Sequence, residues 1–521
     1  MIARIPFGKH RGTPISELDP GYAGWLLKMG RDPGFYFVDF VEDNHKALRA
    51  AAAAIPASAD LSYTLADDQQ QASDEALASL VRPGHIHRLQ GGAGYGKSFA
   101  MRDIAVRLKR EGFQVAAAAT SFVATQNLSK DLTPIGVPCR TIASTFQLSP
   151  DRTQAAERYT MGPDTEHRAE QAMAEGSVMM IDEYSMVSDP IGQMLLDACQ
   201  RGGGSLLVVG DRYQLPSPEQ SWDSMLCKVE PSSELTISKR FAPGSTLAHI
   251  EQLVRQNPLG FQLSDIEQDS EFRTVTSQGA LNAFLENHRD RPDESQLMLF
   301  YRRADMVAAN STIRAQLVPD ATEAVEAGET LRVQRTVFRY DRQNVDVRGR
   351  EVYVSPRDQA ETQGCSRLYS GTHLEVLEAK PVTHTIDLGD IGEFRIPCYG
   401  VRFENYGPQP VLFAKTDNAT DPTMRGGAEF NAALKATREY IEQNLPEHTK
   451  NRWAPLYALR DQFLTVAYGY ASTIHRVQGQ SLDRVTVPLN LIRQVANYDP
   501  YTAAKLVYVA MTRAKKELLV Y

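Results

Sequence analysis

The apolar positions of this chain fall into short unbroken runs that stop at charged or glycine residues. Val178 to Ile181 stops at Asp182-Glu183, and Leu206 to Val209 stops at Gly210-Asp211. Runs of this kind, apolar towards both faces, predict buried parallel strands that deliver polar groups at their carboxyl ends. Ile86 to Leu89 predicts a further strand, and beyond it Met101, Ile104, Ala105 and Leu108 recur at helical spacing. Strands alternating with helices imply a doubly wound α/β sheet. Leu297 to Tyr301, Val485 to Leu489 and Leu518 to Tyr521 predict strands of a second α/β domain. Residues 331–461 have a different texture. Short β-like runs (Arg332 to Phe338, Glu351 to Val354, His373 to Leu377, Pro410 to Phe413) are punctuated by Gly, Pro and Asp, which predicts a small β-rich, barrel-like insertion. Near the N-terminus, Asp19-Pro20 supplies an N-cap and a proline at the first helical position. Tyr22, Trp25, Leu26 and Met29 then follow at i, i+3, i+4 and i+7, predicting a short amphipathic helix whose stripe, Trp25 included, packs into a small core. The alanine run Ala50 to Ala54 and the polar segment to Ala66 read as a helix end and a linker.

Composition narrows the class. A chain of 521 residues exceeds what one core supports, so several domains are expected. Hydrophobic residues at 42% and charged residues at 23% are ordinary for a soluble globular protein. No apolar run reaches membrane-spanning length and Met1 to Lys9 has no signal-peptide stretch, so a cytoplasmic location without membrane partners is expected. Five scattered cysteines with no C-x-x-C pair indicate neither a zinc site nor a disulfide framework. The net charge of −8 counts against a broad nucleic-acid-coating surface but not against a narrow groove.

Gly91-Gly92-Ala93-Gly94-Tyr95-Gly96-Lys97-Ser98 fits G-x-x-x-x-G-K-[ST] at every fixed position. Such a loop turns successive N–H groups of Gly92 to Gly96 towards phosphate oxygens, with the following helix adding its positive end. Lys97 then sits between the β- and γ-phosphates of ATP, and the Ser98 hydroxyl ligates Mg²⁺. Asp182-Glu183 alone reads as a solvated strand end and Gly210-Asp211 as a turn. Together with the loop they have a chemical logic: Asp182 assists the Mg²⁺ ion through its water shell, Glu183 orients and deprotonates the attacking water, and Gln214 senses the γ-phosphate.

The order of motifs resembles a superfamily 1 helicase over nearly all of residues 65–521. Leu65-Ala66-Asp67-Asp68-Gln69 is similar to the adenine-reading Q motif, implicating Gln69. Ala118-Ala119-Thr120 resembles motif Ia, and Thr141-Ile142 with Ser144 the T-I-H-S element. Ile181 to Ser185 is similar to motif II, Gly210 to Pro216 to motif III, Ser238 to Phe241 to motif IV, Tyr470 to Ser481 to motif V and Val507 to Lys515 to motif VI. The T-I-H-R-V-Q-G-Q-S and I-D-E-x-S forms, with the β-rich insertion, resemble the RecD-like or Dda-like group, which implies 5′ to 3′ movement on single-stranded DNA and unwinding of a 5′-tailed duplex by a monomeric motor. By the same resemblance Arg240 and Arg513 are arginine fingers reaching from the second of two RecA-like domains, and Phe99 and Gly479 join the nucleotide contacts. Thr120, Thr141, Asn310, Arg314, Thr473 and His475 are the implied DNA contacts. Helix caps for the threonines and a core role for His475 are the competing readings, and Trp222 reads as packed more readily than as a base-stacking surface.

The domain scheme that follows places an accessory module at 1–55 and the first RecA-like domain at 56–235. The second RecA-like domain is formed by 236–330 and 462–521, with the β-rich, SH3-like insertion at 331–461. A strand-separating pin is expected in 147–176, where no hairpin signal is visible. Phe7, Gly8, Lys9, Gly12, Tyr22, Trp25 and Leu26 resemble the F-G-K-x-x-G module found at the C-terminus of exonuclease X-type proteins, suggesting a DNA or protein-partner contact through Lys9, His10 and Arg11. Ala119, Ala143 and Ser370-Gly371 depart from the helicase pattern; they spare the ATP chemistry and bear on the grip on DNA. An RNA track and an ATP-switched clamp that does not unwind are the alternatives. No separate acidic cluster supports a two-metal nuclease. The resemblance implies service in DNA replication, DNA repair or DNA recombination without choosing among them.

Overall fold

Eight strands follow one another in the first part of the chain: β1 (Ile86–Gly91), β2 (Gln114–Ala119), β3 (Cys139–Thr141), β4 (Ser149–Asp151), β5 (Arg158–Thr160), β6 (Ser177–Asp182), β7 (Ser205–Gly210) and β8 (Ser232–Leu235). The computed structural model describes residues 3–6, 10–18, 20–29, 37–56, 59, 62–151, 158–162, 164–242, 244–290, 295–334, 344–345, 351–352, 371–403, 406–413, 427–446, 453–460 and 462–521. Contacts divide the chain into two compact units. The first comprises Met1–Phe272, Gln478–Ser481 and Leu491–Glu517, and the second Arg273–Val477, Leu482–Asn490 and Leu518–Tyr521.

Six of these strands form one sheet in the order β3-β2-β6-β7-β1-β8, and its neighbouring strands pair in parallel. Parallel pairing brings all the carboxyl ends to one edge. Ala119 lies opposite both Thr141 and Asp182, and Gln90 opposite Gly210. The apolar runs are buried on both faces, as their patterning requires: Met180, Leu207 and Val209 pack with Ile104 and Leu108 of the helix Lys97–Arg110. Met179, Ile181, Leu206 and Val208 pack with Leu195 and Ala198 of the helix Asp189–Gly202. β4 and β5 pair antiparallel within 147–176, so a hairpin stands where the sequence showed no turn signal.

The N-terminal segment folds as helices Pro20–Met29, Val38–Asp43 and His45–Ala53 around Ile5, Ile15, Leu26, Val41 and Leu48. The first helix begins at the proline that the sequence pointed to. Phe7, Gly8 and Lys9, and the side chains of Trp25 and Met29, lie outside the described residues.

A second sheet has the order β18-β10-β19-β20-β9, made of β9 (Phe272–Thr274), β10 (Gln296–Phe300), β18 (Ala471–Thr473), β19 (Leu482–Val487) and β20 (Ala514–Val520). A closed barrel lies between them in sequence: β11 (Thr330–Val333), β14 (His373–Asp387), β15 (Glu393–Phe403), β16 (Tyr406–Phe413) and β17 (Leu464–Tyr468). Leu331, Val333, Leu374, Val376, Val401, Phe403, Val411 and Val466 fill it. A short ribbon of β12 (Asn344–Val345) and β13 (Glu351–Val352) completes the strands. The barrel is the β-rich element expected from the sequence, although β17 lies beyond residue 461, and β15 and the helix Gly427–Asn444 were not anticipated. Among the described residues no helix is long and apolar enough to cross a membrane.

Candidate active site

β1 ends at Gly91 and the next helix starts at Lys97, so the phosphate motif is the turn between them. Gly94 and Gly96 both have φ of +82°, a conformation that side chains rarely adopt. A β-carbon on Gly96 would stand 2.0 Å from Gln69 Nε2, and one on Gly94 would stand 2.5 Å from the Arg240 β-carbon. Lys97 Nζ donates to the carbonyls of Gly91 (2.9 Å) and Gly92 (3.0 Å), folding back over the loop. Gln69 caps its own helix, its Oε1 accepting from the Ala66 amide at 3.1 Å, while its Nε2 donates to the carbonyls of Tyr95 and Gly96 at 3.3 and 3.4 Å. The adenine-motif glutamine and the phosphate loop are therefore one bonded assembly. Phe99 is half exposed on the first turn of the helix.

Asp182 is the last residue of β6, and Glu183 follows it in the left-handed region with φ of +54°. That conformation is uncommon for a residue with a side chain. It turns the Glu183 amide onto Asp182 Oδ1 at 2.9 Å. Burial and the neighbouring Asp182 push the Glu183 carboxyl up to about 7, against the opposing pull of Lys97 and Arg513. Burial also raises Asp182, with Lys97 opposing. Glu183 Oε2 is buried with no hydrogen-bond partner among the described residues, and a β-carbon on Gly479 would stand 3.3 Å from Glu183 Oε1. Gln478 beside it donates to Ser185 Oγ (3.3 Å) and to the Leu215 carbonyl (3.2 Å).

Both arginines lie in the same compact unit as the loop. Arg240 donates to the Thr512 carbonyl at 2.7 Å and to Ser481 Oγ at 2.8 Å. Burial and the like charge of Arg513 draw it down to about 10, which leaves it charged near neutrality. Arg513 is 1% exposed and donates to the carbonyls of Val509 (3.0 Å) and Gln480 (3.2 Å). Gln214 is buried, and its Oε1 has no partner among the described residues. The motif III turn is tied down from the helix Pro500–Met511. The Tyr508 hydroxyl donates to Asp211 at 2.6 Å, and Lys505 Nζ donates to the carbonyls of Arg212 (2.5 Å) and Gln214 (2.9 Å). Lys97, Asp182, Glu183, Gln214, Arg240, Gly479 and Arg513 thus all belong to one unit, with charge interactions linking both carboxylates to Lys97 and Glu183 to Arg513.

The implied DNA contacts fare differently. Thr120 follows β2, with its hydroxyl facing Met186 Sδ at 3.9 Å. Thr141 caps the helix Ile142–Phe146, its Oγ1 accepting from the Ser144 amide at 3.1 Å. Thr473 ends β18 in the second unit, and the His475 ring lies 6.1 Å from that of Tyr301, its pKa lowered by burial. Asn310 and Arg314 correct the expectation of a groove-facing pair. Asn310 is 2% exposed and exchanges both amide bonds with the Ala471 backbone. Arg314 pairs with Glu329 at 2.7 Å and donates to the Glu323 carbonyl. Trp222 corrects the packed reading: it is 57% exposed, its indole N–H donating to Asp189 at 2.9 Å. Glu251, not singled out in the sequence, lies against the phosphate loop. An acid on the same helical face as Leu247, Ile250 and Val254 was the available signal.

Two family models match the chain, an AAA domain over residues 64–287 and a UvrD-like helicase C-terminal domain over residues 468–521. The ATP-dependent DNA helicase dda of Enterobacteria phage T4 is 22% identical over 471 residues, covering 87% of this chain and 98% of that protein. The conjugal transfer protein TraA of Agrobacterium fabrum is 22% identical over 469 residues, covering 87% of this chain, which spans 32% of that longer relative. Among solved structures, the Pif1 helicase from Candida albicans superposes with a TM-score of 0.42 at 16% identity, over 88% of this chain and 95% of that one. The Bacteroides Pif1 helicase in complex with ADP-AlF3 and ssDNA gives 0.41 at 14%, over 88% and 92%. The phosphate loop, the paired carboxylates and the two arginines thus lie in one unit, and the chain is similar in its first motifs to the AAA domain model and in its last to the UvrD-like helicase C-terminal domain model.

Proposed function

We propose that this protein is an ATP-dependent DNA helicase that moves 5′ to 3′ on single-stranded DNA and unwinds duplex bearing a 5′ tail. The observation that carries the reading is the common placement of Lys97, Glu183, Arg240 and Arg513 around one glycine-turned loop. Phosphoryl transfer to water needs little covalent chemistry from the protein and much positioning of charge. The loop amides from Gly92 to Gly96 receive the phosphates, and Lys97 exchanges the carbonyls of Gly91 and Gly92 for phosphate oxygens. Gln69 and the exposed ring of Phe99 flank the base. Glu183, ionised just above neutrality, takes the proton of the attacking water, and Gln214 fixes that water against the terminal phosphate. Arg240 and Arg513 stabilise the spreading charge.

Ser98 and Asp182 would hold Mg²⁺, whose charge offsets that of the β- and γ-oxygens. The donor set fits, because Mg²⁺ keeps several waters and takes one or two carboxylates beside phosphate. Asp182, raised by burial, gains from a nearby cation. Thr120, Thr141, Thr473 and His475 remain the proposed backbone contacts to the strand, and residues 1–55 a proposed docking element for a protein partner.

Strand displacement on a 5′-tailed DNA duplex tests the function, with a 3′-tailed duplex and a matched RNA in parallel. Displacement of the 5′-tailed DNA alone is expected. Robust ATP hydrolysis without displacement would replace the motor with a clamp, and equal stimulation by RNA would change the track.

A further inference from the structure

Glu251 is an acid on a buried face. The helix Thr246–Gln256 buries Leu247, Ile250, Glu251 and Val254 together, and neither carboxyl oxygen of Glu251 has a hydrogen-bond partner among the described residues. A buried polar group left unpaired is destabilising, so packing alone does not account for it. Its Oε1 lies 2.8 Å from where a β-carbon on Gly92 would stand, which sets the carboxyl against the second residue of the phosphate loop. The charged and titratable groups facing it are Arg240 after β8, Asp211 after β7, Tyr95 in the loop, Tyr508 and Arg513 from the C-terminal segment, and Arg255 of its own helix. The arginines are engaged elsewhere: Arg240 with Thr512 and Ser481, Arg513 with Val509 and Gln480, and Arg255 with Glu234. Burial, opposed by Arg240 and reinforced by Asp211, raises the carboxyl to about 7.

A carboxylate and a triphosphate sharing one water-poor pocket repel each other, and the group that neutralises more readily gives way. We propose that Glu251 is a positioning residue that couples triphosphate binding to proton uptake: its carboxyl takes one proton from solvent as the phosphates enter, and the neutral acid leaves the charge of Arg240 to the terminal phosphate. This rests on the nucleotide reading of the loop. The sign is fixed by linkage. Above about pH 7 the free site is ionised and the bound site protonated, so triphosphate affinity weakens as pH rises, by up to about tenfold per unit.

Calorimetric titration of the full chain with Mg²⁺ and a non-hydrolysable ATP analogue at pH 8, in two buffers of different ionisation enthalpy, counts the protons taken up. Wild type and Glu183→Gln are expected to take up close to one proton per analogue, and Glu251→Gln none, with a flat affinity above pH 7. Equal uptake by wild type and Glu251→Gln, or no uptake by Glu183→Gln, overturns the inference. The Glu183→Gln arm keeps position 251 native and so decides the matter even where the Glu251 variant does not fold. Failure of the analogue to bind any of the three rejects the nucleotide reading itself.

Discussion

Glu183 joins a left-handed backbone to a carboxyl that burial holds near neutrality. As the proposed base, it must be ionised to act. Because its pKa is raised, the active form of the free site is lost as pH falls through about 7, and kcat/KM for ATP should drop about tenfold per unit below that value. Glu183→Gln should lower DNA-stimulated hydrolysis by about 10²–10⁴-fold while nucleotide affinity and the unfolding midpoint hold; near-normal turnover would remove the residue from the role. Gly96→Ala meets both an unfavourable φ and the Gln69 amide, so it should weaken nucleotide binding, as read by titration with ATP analogue. At this scale the loop and the carboxylates were legible, because few other uses require glycines and a lysine at that spacing. Asn310 and Arg314 were not. Helical spacing put them on one side of a helix but could not show that Glu329 and the Ala471 backbone would occupy them.

The Arg314–Glu329 pair holds the helix Arg303–Leu317 to the segment leading into β11, and both side chains are largely buried, at 13% and 2% exposed. Removing one partner leaves the other charge unpaired, so Arg314→Ala should cost about 3–5 kcal/mol in denaturant unfolding. A DNA contact would instead show as lost affinity at unchanged stability. The parallel strands of the first sheet were readable from their unbroken apolar runs. The β4–β5 hairpin was not, since Ser149–Asp151 and Arg158–Thr160 have neither alternating apolar residues nor a two-residue glycine turn. β15 hid for a related reason. Glu393 to Phe403 intersperses Glu, Arg, Pro and Gly with its apolar residues, and its pairing along β14 is what makes it a strand.

Across the whole molecule, the α/β class and the β-rich insertion were visible because their patterning differs along the chain. The division of residues between compact units was not, because it depends on contacts between distant segments: residues 478–481 and 491–517 join the first unit. Arg513 is one consequence. Arg513→Ala should reduce hydrolysis about a hundredfold or more and ATP-analogue affinity far less, a split that steady-state turnover and equilibrium binding measure separately.

The tether between Tyr508 and Asp211, with Lys505 on the Arg212 and Gln214 carbonyls, also orders events during synthesis. The phosphate loop leaves the ribosome roughly four hundred residues before the side chains that steady the turn next to it. A nascent chain that has not yet reached residue 513 carries the loop without Arg513, and so, on the proposed reading, has no complete set of groups with which to spend nucleotide.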